Sequence, residues 1–115
     1  MITPTTNTRI YLACGATNMG RSFDSLSSYV QQEMKLDPFD GALFIFRSKR
    51  GDKVKVLWWD GQGLCLFYKR LEQGRFIWPS TKNGTAQLTK AQLSMLLEGI
   101  DWRRPEWTTK PTRAA

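Results

Sequence analysis

Apolar residues along this chain follow two periods in turn. TRIYLACG, residues 8–15, has the apolar-rich pattern of a first strand closed by glycine. Met19, Phe23, Leu26, Val30 and Met34 then recur every three or four residues, the spacing of one helix face. Thr17, Asn18 or Ser22 can cap the start of that helix, and Asp37-Pro38 is expected to end it. From Gly41 the period shortens to two. ALFIFR, KVKVLWW and LCLFYKR are separated by SKRGD and DGQG, both suited to hairpin turns, so a three-stranded antiparallel meander is predicted. GRFIWP, residues 74–79, predicts a short edge strand ended by Pro79, and STKNGTAQ predicts a loop turning at Asn83-Gly84. The last element is the most strongly marked. Thr89 and Gln92 form a capping-box pattern, flanked by a Leu88–Leu93 hydrophobic staple. Gly99 supplies a left-handed C-terminal cap, with Ile100 folding back on Met95. A short helix over Lys90–Leu97 follows. The expected fold class is α+β: an antiparallel meander of three to five strands with two α-helices packed on one side. The expected organisation is one compact domain over 1–104 and a flexible basic tail over 105–115.

Register turns the pattern into geometry. With SKRGD as a five-residue loop, Phe46 pairs with Val54 and Arg47 with Lys53. With Gly61-Gln62 as a two-residue tip, Trp59 pairs with Leu64 and Lys55 with Tyr68. Because side chains alternate faces, one face then collects Ala42, Phe44, Phe46, Val54, Val56, Trp58, Cys65 and Phe67 as core, with Lys69 reaching water from its end. The other face carries Leu43, Ile45, Leu57, Trp59, Leu64 and Leu66 at one end and Arg47, Lys53, Lys55, Tyr68 and Arg70 at the other. In this register neither Lys53 nor Lys55 belongs to the core. Trp59 is either covered by a helix or exposed for contact.

Charge sharpens this picture. The 115 residues include 17 basic and 10 acidic side chains, a net charge of +7. Residues 1–40 hold three basic and four acidic groups, and the remainder holds fourteen and six, a surplus of eight. Such a surplus suits nucleic acid, an anionic membrane face or an acidic protein partner. It is also the pattern of an ordinary solvated face, since surface strands carry Lys to block edge-to-edge association. Like charges paired across a ladder destabilise a sheet, and a bound phosphate backbone would relieve them while releasing counterions. Arg47, Lys49, Arg50, Lys53, Lys55 and Arg70 are therefore the candidate phosphate contacts, followed by Lys69 and Arg75. Tyr68 is a candidate for stacking on a base or a guanidinium.

The sequence argues against several chemistries. It contains no histidine, which removes His-based triads, His acid–base catalysis and His-containing zinc sites. Cys14 and Cys65 match no metal or redox spacing and are expected to be buried, reduced thiols. Asp24, Asp52, Asp60 and Asp101 could in principle hold Mg²⁺, but Asp52 and Asp60 stand in turn positions that favour Asp for backbone reasons. DGQG precedes no helix and so reads as a hairpin tip, not a phosphate cradle. NMGRS before the first helix is a weak anion-site signal. No apolar run approaches the length of a membrane span, and the N-terminus lacks a secretory pattern. No cofactor, metal or membrane partner is expected.

FIFRSKRGDKVKVLWWDGQGLCLFYKRLEQGRFIWP, followed by LTKAQLSMLLEGIDWRR, closely resembles the accessory proteins of insertion-sequence family sixty-six, the second open reading frame products often called TnpB. The resemblance runs from about Thr8 to Arg104 and includes RIYLACGATNMGRSFDSL. This chain departs from it at Asn18 and Gly20, where the family usually has Asp and Arg, and at Ser22 and Ser25, where it usually has Gly. The resemblance implies a non-catalytic transposition accessory protein, working in the bacterial cytoplasm beside a separate transposase that cuts and joins strands. Combined with the charge pattern, it sets two expectations. In the first, the chain binds element ends or target DNA through its basic sheet end and is nucleoid-associated when bound. In the second, Leu57, Trp59, Leu64 and Leu66 dock on the cognate transposase without DNA contact.

Overall fold

The computed structural model describes residues 8–79 and 85–99. The element order is β1 (Ile10–Ala16), α1 (Phe23–Gln32), β2 (Leu43–Arg47), β3 (Lys53–Trp59), β4 (Leu64–Arg70), β5 (Ala86–Leu88) and α2 (Lys90–Leu97). The five strands form one mixed sheet in the order β4-β3-β2-β1-β5. β2, β3 and β4 are the antiparallel meander that the alternation predicts. β1 runs parallel to β2, because α1 carries the chain back across the sheet between them, the connection that parallel neighbours require. The fold is α+β.

The two helices cover opposite faces of the sheet, not one side as expected. Leu26 and Val30 of α1 pack with Ala13, Ala42, Phe44, Phe46 and Leu57. Leu93 and Leu96 of α2 pack with Ile10, Leu12, Leu43, Ile45, Val54, Val56 and Phe76. Sandwiching buries both faces, so the central strand β2 is apolar at nearly every position and its alternation carries no inside–outside information.

The β2–β3 register differs by one residue from the expected pairing. Arg47 lies opposite Val54 and Phe46 opposite Lys55. The loop has four residues at its tip, because Ser48 continues the ladder: its N–H donates to the Lys53 carbonyl at 3.1 Å. The Ser48 hydroxyl accepts from the Lys53 N–H at 3.1 Å and reaches the Asp52 carboxylate at 3.2 Å. Gly51, at φ +81°, closes the tip with its N–H on the Ser48 carbonyl. A one-residue slip exchanges faces. Leu43, Ile45 and Arg47 therefore join Val54, Val56, Trp58, Phe67 and Lys69 under α2, while Ala42, Phe44 and Phe46 join Lys55, Leu57, Leu66 and Tyr68 under α1. The β3–β4 pairing, Trp59 with Leu64 and Lys55 with Tyr68, is as expected.

Three further differences concern segment ends. α1 stops at Glu33, and the chain reverses through Lys35 at φ +59°, ahead of Asp37-Pro38. Ser22 occupies its N-cap position without a side-chain capping bond. Residues 74–79 form no strand; the fifth strand is Ala86–Leu88, which takes in the last two residues of the stretch read as a loop and the staple residue Leu88. Asn83-Gly84, Ile100, Asp101 and the 105–115 tail lie outside the described residues.

α2 matches its predicted bounds, and its capping box is complete. The Gln92 N–H donates to the Thr89 hydroxyl at 3.1 Å, and the Thr89 N–H donates to the Gln92 side-chain oxygen at 2.9 Å. Thr89→Ala leaves a helix N–H without its acceptor and is expected to cost about 1 kcal/mol, read as a lower urea midpoint with an unchanged slope.

Candidate anion-binding cleft

β1 and β2 are parallel, so their C-terminal ends lie at one end of the sheet, together with the 48–53 loop and the exit of β4. The candidate cations share this end, but not one face. Arg47 and Lys69 fall on the α2 side. Lys53, Lys55, Tyr68 and Arg70 fall on the α1 side, and Lys49 and Arg50 sit on the loop.

Several of them are already engaged. Lys55 is 6% exposed. Its ammonium donates to the Met19 carbonyl at 2.7 Å and the Arg21 carbonyl at 2.6 Å, and it sits 4.6 Å from the Tyr68 ring centroid. Burial pushes its pKa down. Lys55 is thus a buried clamp on the loop that leads into α1, contrary to its expected place outside the core. Lys69 donates to the Leu97 carbonyl at 2.7 Å, which places a cation at the C-terminal end of α2, where the helix dipole favours it. Lys53 lies 3.6 Å from Asp52, and Arg70 lies 3.0 Å from Glu72. Tyr68 is half exposed, and one of its ring faces is given to Lys55.

Four cations remain without a carboxylate partner among the described residues, Arg47 making only a long bond of 3.5 Å to the Ser48 carbonyl, and they converge. Arg47, Lys49 and Arg50 meet Arg75, Phe76 and Trp78 around a cleft of about 330 Å³. Gly51 holds the two segments together, since its carbonyl accepts from the Phe76 N–H at 2.9 Å and from Trp78 Nε1 at 3.0 Å. Phe76 is buried and meets the Trp78 ring edge-on at 5.7 Å. Lys49, Arg50 and Arg75 are exposed. Among the described residues none of the four cations has a carboxylate within 4.0 Å. Arg75 and Trp78 enter the cleft because residues 74–79 leave the sheet and lie over the loop. Reading that segment as an edge strand concealed this.

The expected protein-docking residues are divided. Leu57 is fully buried beneath α1 and so belongs to the core, not to a contact surface. Leu64 and Leu66 are half-buried beside it on edge strand β4. Trp59 is neither helix-covered nor bare; Phe39, itself 46% exposed, packs edge-on against it at 5.6 Å.

The acids serve turns. The Gly63 and Gln62 N–H groups donate to Asp60 and hold its carboxyl below the usual range. Burial pushes the Asp52 carboxyl up, but the Ser48 hydroxyl, the Lys53 charge, a backbone N–H and the Arg50 charge together outweigh it and the net direction is down. Among the described residues, no cluster of three or more His, Cys, Asp or Glu could hold a metal ion. Cys14 and Cys65 are half-buried and in no disulfide. No described helix is long and apolar enough to cross a membrane.

These features define a small α+β protein with a cationic and aromatic cleft at one end of its sheet. Residues 8–107 match the profile of the family described as IS66 Orf2 like protein, and the chain belongs to that family. It is 52% identical over 107 residues, 93% of each chain, to the uncharacterised protein y4hO of Sinorhizobium fredii. It is also 35% identical over 117 residues, covering all of both chains, to the uncharacterised protein y4jC of the same organism. No solved structure matches. Family membership supports an accessory role in insertion-sequence transposition, in association with the element's transposase.

Proposed function

We propose that the chain is a non-enzymatic accessory factor that holds insertion-element or target DNA while a separate transposase performs the chemistry. One observation carries the DNA contact: Arg47, Lys49, Arg50 and Arg75, from two chain segments, line one cleft without a carboxylate in ion-pair reach. Cations gathered this way repel one another, and a phosphate backbone neutralises them while releasing condensed counterions. Arg offers a planar fork for bidentate phosphate contact. Lys53 and Arg70, each with an acidic neighbour, flank this set. Phosphate contacts position a duplex without reading its sequence.

Four phosphate contacts give a log–log salt dependence of about −3.5 for binding to random duplex, at roughly −0.9 per phosphate. Arg50→Gln with Arg75→Gln is expected to reduce that slope by about 2 and to leave the melting temperature unchanged, since both side chains are exposed. A flat salt response of the parent protein with both duplex and single-stranded DNA would reject DNA contact. That result would favour docking on the transposase through Phe39, Trp59, Leu64 and Leu66, the partly exposed apolar residues at the end of β3, on β4 and in the loop before β2.

A further inference from the structure

We infer that the cleft takes single-stranded DNA, with phosphates on Arg47, Lys49, Arg50 and Arg75 and an unpaired base against the Trp78 indole. The inference rests on the DNA-binding reading above and narrows it to one form of DNA.

The argument begins with Trp78. Its Nε1 donates to the Gly51 carbonyl at 3.0 Å, and Phe76 packs edge-on against the ring at 5.7 Å. These two contacts fix the indole in place. Yet the ring is only half-buried and lines the cleft beside three guanidinium groups and an ammonium. A surface meant for duplex phosphates alone has no use for an immobilised aromatic, because a duplex keeps its base faces inside the stack. A single strand presents both parts: a phosphate line for the cations and π-faces for the indole. Aromatic platforms beside a positively charged groove are how single strands are bound without sequence preference.

The space is consistent with this. The cleft, about 330 Å³, sits at the lower end of the roughly 300–1,000 Å³ range of small-ligand sites. That suits one unpaired nucleotide, whereas a duplex could only lay a backbone across the cleft rim. The pocket floor is also well supported. Phe76 is buried in the α2-side core, and its N–H is tied to the same Gly51 carbonyl. The platform therefore exists before any strand arrives, which limits the ordering cost of binding.

Three probes test this by fluorescence anisotropy on the full chain: an oligothymidylate of about 12 nucleotides, within the roughly 4–16 nucleotide footprints of single-strand binders; an abasic deoxyribose-phosphate strand of the same length; and a duplex of that length. The thymidylate strand is expected to bind about tenfold tighter than the abasic strand and tighter than the duplex. Trp78→Leu is expected to bring the thymidylate and abasic strands to parity. Equal binding of those two strands by the parent protein, or duplex binding tighter than thymidylate, would overturn the inference while leaving duplex contact standing. Failure of all three probes would reject the DNA-binding reading itself. Should Trp78→Leu melt early, the parent's comparison of thymidylate with abasic strand still decides, because it needs no variant.

Discussion

Lys55→Glu is expected to remove about 3–5 kcal/mol of folding stability, since breaking a buried charged contact leaves an uncompensated charge behind. The carboxylate would face the Met19 and Arg21 carbonyls, which now accept from the ammonium at 2.7 and 2.6 Å. Three groups of like polarity would then share one buried site. Lys55→Met keeps the aliphatic stem but leaves both carbonyls unpaired, and is expected to fall between, at about 1–3 kcal/mol. Lys53→Glu, on the same sheet face but half exposed and 3.6 Å from Asp52, is expected to stay within about 1 kcal/mol. Urea denaturation followed by tryptophan fluorescence ranks the three. If Lys55→Glu unfolds at the same midpoint as Lys53→Glu, the clamp does not exist.

Gly51→Val is expected to cost about 2–3 kcal/mol and to damage the cleft at the same time. Gly51 holds φ +81°, a left-handed conformation that costs an L-residue roughly 1–2 kcal/mol and a β-branched one more. An added Cβ would also meet Trp78 Nε1 at 3.2 Å and Arg75 Cδ at 3.3 Å. Relief of that crowding displaces the Trp78 indole, one of the two groups bonded to the Gly51 carbonyl, and the Arg75 side chain that lines the cleft. Duplex affinity is therefore expected to fall in a variant that remains folded at low temperature. Measuring binding well below the variant's own melting midpoint separates the two effects; unchanged affinity there would show that Gly51 does not organise the cleft.

The sequence foretold the elements better than their arrangement. α2 was fully legible because Thr89, Gln92, Leu88, Leu93 and Gly99 are local signals that agree with one another. The β3–β4 hairpin was legible for the same reason, through Asp60 and the glycines around Gln62. The β2–β3 register was not, because its choice rests on Ser48, whose hydroxyl takes the Lys53 N–H and lengthens the ladder by one pair. A hydroxyl that completes a strand and one that decorates a loop look alike in sequence. From that slip followed the placing of Arg47 beside Lys53 and Lys55. The cationic end survived the error, since a shift of one residue changes the face and not the end. Arg75 is legible as a candidate cation and Trp78 is not legible as a cleft residue, because residues 74–79 carry the alternation of a strand while Phe76 and Trp78 bond to the Gly51 carbonyl instead of joining the ladder.

The Lys55 ammonium holds the loop before α1 only by main-chain oxygens. Any residue supplies such an oxygen, so this attachment tolerates exchange of the side chains at positions 18–21. Within the loop itself one side chain does matter, since the Asn18 side-chain oxygen accepts from the Gly20 N–H at 2.7 Å. The backbone anchor between sheet and helix is thus independent of the surface chemistry that positions 18–21 display.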